Sequence, residues 1–235
     1  MSRIEETGFE GLYEPEEKDV DPQRLPLPPE FVSLINDNKS RFAHQAIKFL
    51  KKRGITEDDI RQWKIGYCPG GEYGNRIVVP SFDSCGYINY YGGRAYTNQY
   101  PKYKNPPISR DIVFNELHIN WKNEIVLVEG VFDAIVAGPN SIPILGSSLK
   151  EDARLFQKIV ENKIPVYMAL DPDMEKKTSK LINKLISYGT YVYKINIEPY
   201  LDVGEMTKKE FIKRKKHAVF LNSENYLFYE LLHSL

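Results

Sequence analysis

The stretch IVLVEGVFD, Ile125 to Asp133, runs four apolar residues and then places a glutamate, a glycine and, four positions after the glutamate, an aspartate. An ordinary buried strand has no use for an acid at its exit. Downstream the pattern becomes regular. Apolar runs at 125–128, 142–145, 165–170 and 191–197 alternate with helical stretches at 131–138, 149–161 and 174–188. Strand-length runs separated by helices predict a parallel sheet covered on both faces. In such sheets ligands gather at the carboxyl ends of the strands. That rule singles out Glu129 after IVLV, Asp171 and Asp173 after IPVYMAL, and Asp202 after YVYKINIEPYL. Asp133, one turn into the helix after Glu129, leans back towards it.

Any one of these acids alone reads as a helix N-cap or a solvent-facing turn residue. Together, on adjacent βα units, Glu129, Asp133, Asp171 and Asp173 read differently. Carboxylates gathered in one cleft repel, and are tolerated when a cation neutralises them or some protonate. Oxygen donors without Cys or His select Mg²⁺ or Mn²⁺. Such a site suits phosphoryl or nucleotidyl transfer, with no side-chain nucleophile needed.

The upstream half has another texture. SRFAHQAIKFLKKRG (Ser40–Gly54) repeats Phe42, Ala46, Phe49 and Leu50 at helix spacing, and Thr56 with Asp59 has the spacing of a capping box. NRIVVPSFD and SCGYINYYGGRAY, joined through DSCG, predict an antiparallel hairpin or meander. Before them, residues 1–35 combine the acidic EPEEKDVD with LPLPPE, the composition of a tail or linker. The expected organisation is α/β: this tail, a small mixed α+β subdomain over 36–120, the parallel-sheet domain over 121–206, and a C-terminal helical cap over 207–235.

Composition sets limits. The chain has 235 residues, 42% of them apolar, with 32 basic and 32 acidic side chains, so a polyanion must be met by a local basic patch. Two cysteines and four histidines do not make a zinc site by the usual spacings. With no secretory signal and no apolar run near the roughly 18 residues of a membrane span, a cytoplasmic protein is expected.

These residues resemble the catalytic core of bacterial-type DNA primases, which contains a Toprim domain. EGVFDA resembles the first Toprim motif in its primase form, and ALDPDMEKK the second, Asp-x-Asp. LGSSLKEDA resembles the segment between them. IEPYLDVGEMTKKEF is similar to the Asp-Pro-Asp-Glu region that follows, with DVGE departing from it at Asp202. RGITEDDIRQWKIGYCP, the GGR of GGRAY and PKYKNPP resemble primase segments outside the Toprim domain, so the likeness covers about residues 40 to 215.

The resemblance implies synthesis of short RNA primers on single-stranded DNA from ribonucleoside triphosphates. Glu129, Asp171 and Asp173 would hold two or more Mg²⁺ or Mn²⁺ ions, with Asp133 and Asp202 in support. Arg76, Arg94, Lys102, Lys104 and Asn105 would face them and take template or nucleotide phosphates. Arg94 stands out, because two glycines before it let the backbone turn. Tyr87, Tyr90, Tyr91, Tyr96, Tyr100 and Tyr103 crowd this region and either stack bases or fill the hairpin core.

There are departures. FNELHI lacks the lysine that the family carries just before its Toprim domain. The zinc-binding and helicase-interacting domains are not expected within this chain, so a separate zinc-binding, template-recognising chain and a replicative helicase are the expected partners. Size alone suggests a phage or mobile-element system. Two other readings are a Toprim nuclease, which would not call for GGR and PKYKN, and a non-catalytic Toprim module that binds DNA or a partner. A topoisomerase is disfavoured, because its strand-gate domains have no room here.

Overall fold

The computed structural model describes residues 25–36, 39–146, 149–226 and Phe228. The acidic stretch 14–21, Ser147 and Ser148 of LGSSLKEDA, and the end of the C-terminal cap lie outside the described residues. The described elements form two five-stranded sheets.

The first sheet is an antiparallel meander of β1 (Val32–Ser33), β2 (Gly66–Cys68), β3 (Arg76–Phe82), β4 (Ile88–Ala95) and β5 (Tyr103–Lys104), in that spatial order. Asp83 closes the β3–β4 turn, its Oδ1 accepting from the N–H groups of Cys85 and Tyr87. Residues 25–33 do not run free of the fold. Leu25, Leu27 and Phe31 pack on Cys68, Tyr73, Val78 and Tyr91, and Glu30 accepts the Tyr73 N–H at 2.8 Å. The prolines keep this segment extended, the shape an edge contact needs.

Between β1 and β2 lie α1 (Arg41–Lys52) and α2 (Glu57–Gln62). Ser40 caps α1 by accepting the Ala43 N–H, and Thr56 with Asp59 makes both bonds of a capping box. The buried stripe of α1 is Ala43, Ala46 and Leu50, whereas Phe42 is 42% exposed. The apolar face is thus rotated by one position from the sequence expectation, and small alanines let the helix approach the core closely.

The second sheet has the order β10–β9–β8–β6–β7, from β6 (Ile125–Val128), β7 (Ser141–Pro143), β8 (Val166–Ala169), β9 (Val192–Lys194) and β10 (Val219–Leu221). β7, β6, β8 and β9 are parallel. IVLV is a central strand, and its alternation divides the core. Val126 and Val128 join the cluster under α3 (Val131–Ala137), while Ile125 and Leu127 join the one under α4 (Arg154–Glu161) and α5 (Glu175–Ser187). α4 starts five residues later than its periodicity predicts, because Asp111, distant in sequence, caps it by accepting the Arg154 N–H at 2.9 Å. In the segment expected to form a helical cap, α6 (Lys208–Lys216) is followed by β10, an antiparallel edge strand on β9.

Candidate active site

The turn leaving β6 carries Glu129 and Gly130 straight into α3. Asp133, at the third position of that helix, is 8% exposed and binds with both oxygens: Oδ2 accepts the Gly130 N–H and Oδ1 the Gly204 N–H, each at 2.8 Å. The loop after β6 is thereby tied to the turn Val203–Glu205 beyond β9, which follows Asp202. A Cβ on Gly130 or Gly204 would stand 2.9 Å from an Asp133 oxygen, so both positions require glycine. Burial, then the charge of Asp202, pushes the Asp133 carboxyl up to about 6, while the two N–H groups pull it down.

Asp171 and Asp173 sit at the exit of β8, Asp171 directly before the turn Pro172–Met174 and Asp173 within it. Carboxylate oxygens of Glu129, Asp171 and Asp173 come within 4.8 Å of one another. Burial and then the Glu129 charge push Asp171 up to about 8. Asp171 Oδ1 and Asp202 Oδ1 are both buried with no hydrogen-bond partner. Carboxylate oxygens left unpaired in a crowded acidic cleft fit a divalent cation, which would satisfy them and displace the proton.

A cleft of about 330 Å³ opens over these acids, lined across from Glu129, Asp171 and Asp202 by Arg94, Lys102, Tyr103 and Asn105. β4 reaches the site because Gly92 meets Val131 of α3, where a Cβ would sit 3.2 Å from Cγ2, and because Gly93 lies against the Lys104 carbonyl of β5. Asn105 Oδ1 accepts the Gly93 N–H at 3.3 Å. Arg94 is 5% exposed, donates to the Tyr103 hydroxyl, and lies 4.6 Å from the Tyr103 ring centre and 5.6 Å from that of Phe132. Burial and then the neighbouring Arg53 lower it to about 10, against the pull of Asp202 and Asp133, so it stays charged at neutral pH.

No protein-family model matches the chain. It is 29% identical over 212 residues to the DNA primase of Thermotoga maritima, an alignment covering 71% of this chain and 38% of that protein. With the DNA primase of Staphylococcus epidermidis it shares 26% over 235 residues, covering 75% and 39%. The chain thus spans less than two fifths of the length of these relatives. Among solved structures it is similar to the DnaG primase catalytic domain bound to single-stranded DNA (TM-score 0.69, 19% identity, 85% of this chain and 79% of that one). It is also similar to the Escherichia coli primase catalytic core (TM-score 0.69, 18% identity, 86% and 81%).

The fold is that of a primase catalytic core.

Within this primase-core fold the sequence-nominated residues divide. Glu129, Asp133, Asp171 and Asp202 meet in the cleft with Arg94, Lys102 and Asn105, and the exposed Asp173 joins Glu129 and Asp171 through its carboxylate. Two residues do not join them. Arg76, 1% exposed, donates to the carbonyls of Gly74 (3.2 Å) and Pro101 (2.7 Å) and is a buried brace of the meander. Lys104 pairs with Glu72 at 2.9 Å and lies over the Tyr73 ring, away from the cleft. The tyrosines divide as well: Tyr90 and Tyr91 are core, Tyr100 is exposed, and Tyr103 lines the cleft.

Sequence reading missed Arg53 of the primase-core fold. It caps the carboxyl end of α1 and stacks 5.2 Å from the Phe49 ring centre and 5.6 Å from that of Phe132, beside Arg94. The available signal was a cation directly before Gly54 in KKRG, which helix periodicity treats merely as an ending. No helix among the described residues is long and apolar enough to cross a membrane.

Proposed function

We propose that this chain is the catalytic part of a DNA primase, joining ribonucleoside triphosphates into short RNA primers on single-stranded DNA. One observation carries the reading: the Glu129–Asp171–Asp173 oxygens converge within 4.8 Å, on a cleft whose opposite wall carries Arg94 and Lys102. An acid cluster for cations, faced by cations for phosphate, suits nucleotidyl transfer.

Glu129, Asp171 and Asp173 would hold Mg²⁺ or Mn²⁺, with Asp202 contributing its unpaired Oδ1. Divalent ions there supply neutralisation of the triphosphate and of the attacking and leaving oxygens. The protein's part is positioning. Asp133 fixes the two loops that present Glu129 and Asp202. Arg94, held by the Tyr103 hydroxyl and two aromatic rings, sets a fixed positive charge opposite the acids. Lys102, exposed at the rim, adds a mobile one.

The boundary near residue 120, between a template and nucleotide groove and a Toprim domain, belongs to this proposal. So do a replicative helicase and a separate zinc-binding chain as partners, and a bacterial cytoplasm, phage-encoded or not, as the setting. A template-dependent assay of labelled ribonucleotide incorporation tests the reading. Glu129→Gln and Asp171→Asn should each lower the rate on the order of 10³-fold. Incorporation that survives unchanged in both would overturn the site. Cleavage of a labelled strand without added nucleotides would make the chain a nuclease.

A further inference from the structure

Two grooves continue from the acid cleft, the first beside the exit of β7 and the second along α5. The first, of about 350 Å³, shares Leu145 and Gly146 with the cleft. A second, of about 260 Å³, shares Ile144, Leu149 and Lys150 with the first. Their floor is apolar, with Leu170 and Leu181 added to Ile144 and Leu149. Their rim is basic. Arg110 and Lys150 flank the first groove, and Lys177, Lys180 and Lys184 of α5 flank the second.

The acids on this route offset only part of the charge. Asp111 and Asp152 both add exposed carboxylates to the lining of the first groove. Asp111, which caps α4, stays charged, and Glu151 pairs with Lys184 at 2.6 Å, so Lys150, Lys177 and Lys180 carry the excess. Lys150, Lys177 and Lys180 are exposed and pair with no carboxylate among the described residues. Arg110 stands on the shoulder between cleft and groove, donating to the Leu145 carbonyl at 3.1 Å, with Nη1 3.6 Å from where a Gly146 Cβ would be. Helical rise sets the three α5 lysines about 4.5 and 6 Å apart along the axis, a row on one side of the groove.

We propose that this strip carries the sugar–phosphate backbone of single-stranded DNA threading the acid cleft, led over the Leu145–Gly146 shoulder onto the lysine face of α5. A row of long-stemmed cations above an apolar floor matches a chain of phosphates bearing flat apolar bases. The inference rests on the primase reading, yet the two fail separately.

The test is fluorescence anisotropy of the full chain with oligothymidylates of about 4 and about 16 nucleotides, spanning the usual range of single-strand site sizes, over a series of salt concentrations. Each phosphate contact to a single strand contributes about 0.7 to the slope of log affinity against log salt. The variant Lys150→Gln/Lys177→Gln/Lys180→Gln should lower that slope by about 2 on the longer strand and leave it unchanged on the shorter. The control Lys209→Gln/Lys213→Gln/Lys216→Gln removes equal charge from α6 and should leave both slopes unchanged. An unaltered slope in the first variant, an equal loss in the control, or no gain in affinity from the longer strand would overturn the strip. So would poly-glutamate binding that is sensitive to the first variant while oligothymidylate binding is not, since the surface would then serve an acidic protein segment. A wild-type chain that shows the expected slopes but incorporates no ribonucleotide would instead overturn the primase reading and leave the strip in place.

Discussion

The two walls of the cleft are built by different rules. The acidic wall comes from the parallel part of the second sheet, where β7, β6, β8 and β9 run the same way and the turns after β6, β8 and β9 end at one edge. The basic wall comes from an antiparallel meander, where neighbours in sequence face opposite sides. Arg94 pairs in register with Tyr103, and both line the cleft; Lys104 pairs with Gly93 and points away. A parallel edge gathers residues by topology, whereas the meander separates neighbouring residues: Arg94, Lys102 and Tyr103 reach the cleft, Arg76 and Lys104 do not. Nearness to a motif is therefore a sound guide on the first wall and an unsound one on the second.

The strongest test of this contrast sets two buried arginines of the meander against each other. Arg94→Ala should lower the incorporation rate on the order of 10²-fold or more, with little loss of fold beyond its aromatic contacts. Arg76→Ala should instead lower unfolding free energy by roughly 2–4 kcal/mol, because two carbonyls lose a charged donor, with the rate per folded molecule unchanged. Denaturant titration beside the activity assay separates them. Equal activity loss in both would break the division of the wall.

A second test concerns the acids. Asp171 is raised from the ordinary carboxylate value of 3.8 to about 8, so the folded protein holds its proton more tightly than the unfolded chain. Stability from this group is full below about pH 4 and is lost as pH rises through about 8. In chelator, the midpoint of thermal unfolding should include a fall over that window, which Asp171→Asn flattens and added Mg²⁺ offsets. A window unchanged by Asp171→Asn would remove the crowding argument for the cation site. The smallest effect distinguishes two lysines on one short segment. Lys102→Gln should lower the salt slope of single-strand binding by about 0.7, and Lys104→Gln should leave it unchanged.

Legibility followed the same divide. The four acids of the strand exits, the central place of IVLV and the two-part α/β organisation were readable because period and turn chemistry act locally. Arg53 was not, since its role depends on Phe132, which lies 79 positions further along the chain. Nor was the later start of α4, which waits on a cap from Asp111. The exposure of Phe42 shows the limit of spacing alone: Phe42 and Ala43 both fit a helical stripe, and tertiary packing chose the smaller residue.

The bond between Asp133 and Gly204 spans 71 positions. During synthesis at ~5–20 residues per second, the partner of Asp133 Oδ1 is added roughly 4 to 14 s after Asp133 itself. Through that interval a nascent chain already carries the residues of β6 and α3, but not the contact that ties the turn after Asp202 to the loop after β6. The acidic edge is thus completed only once Gly204 has been added, and a chain ending before it carries the opening motif without the tie between the two loops.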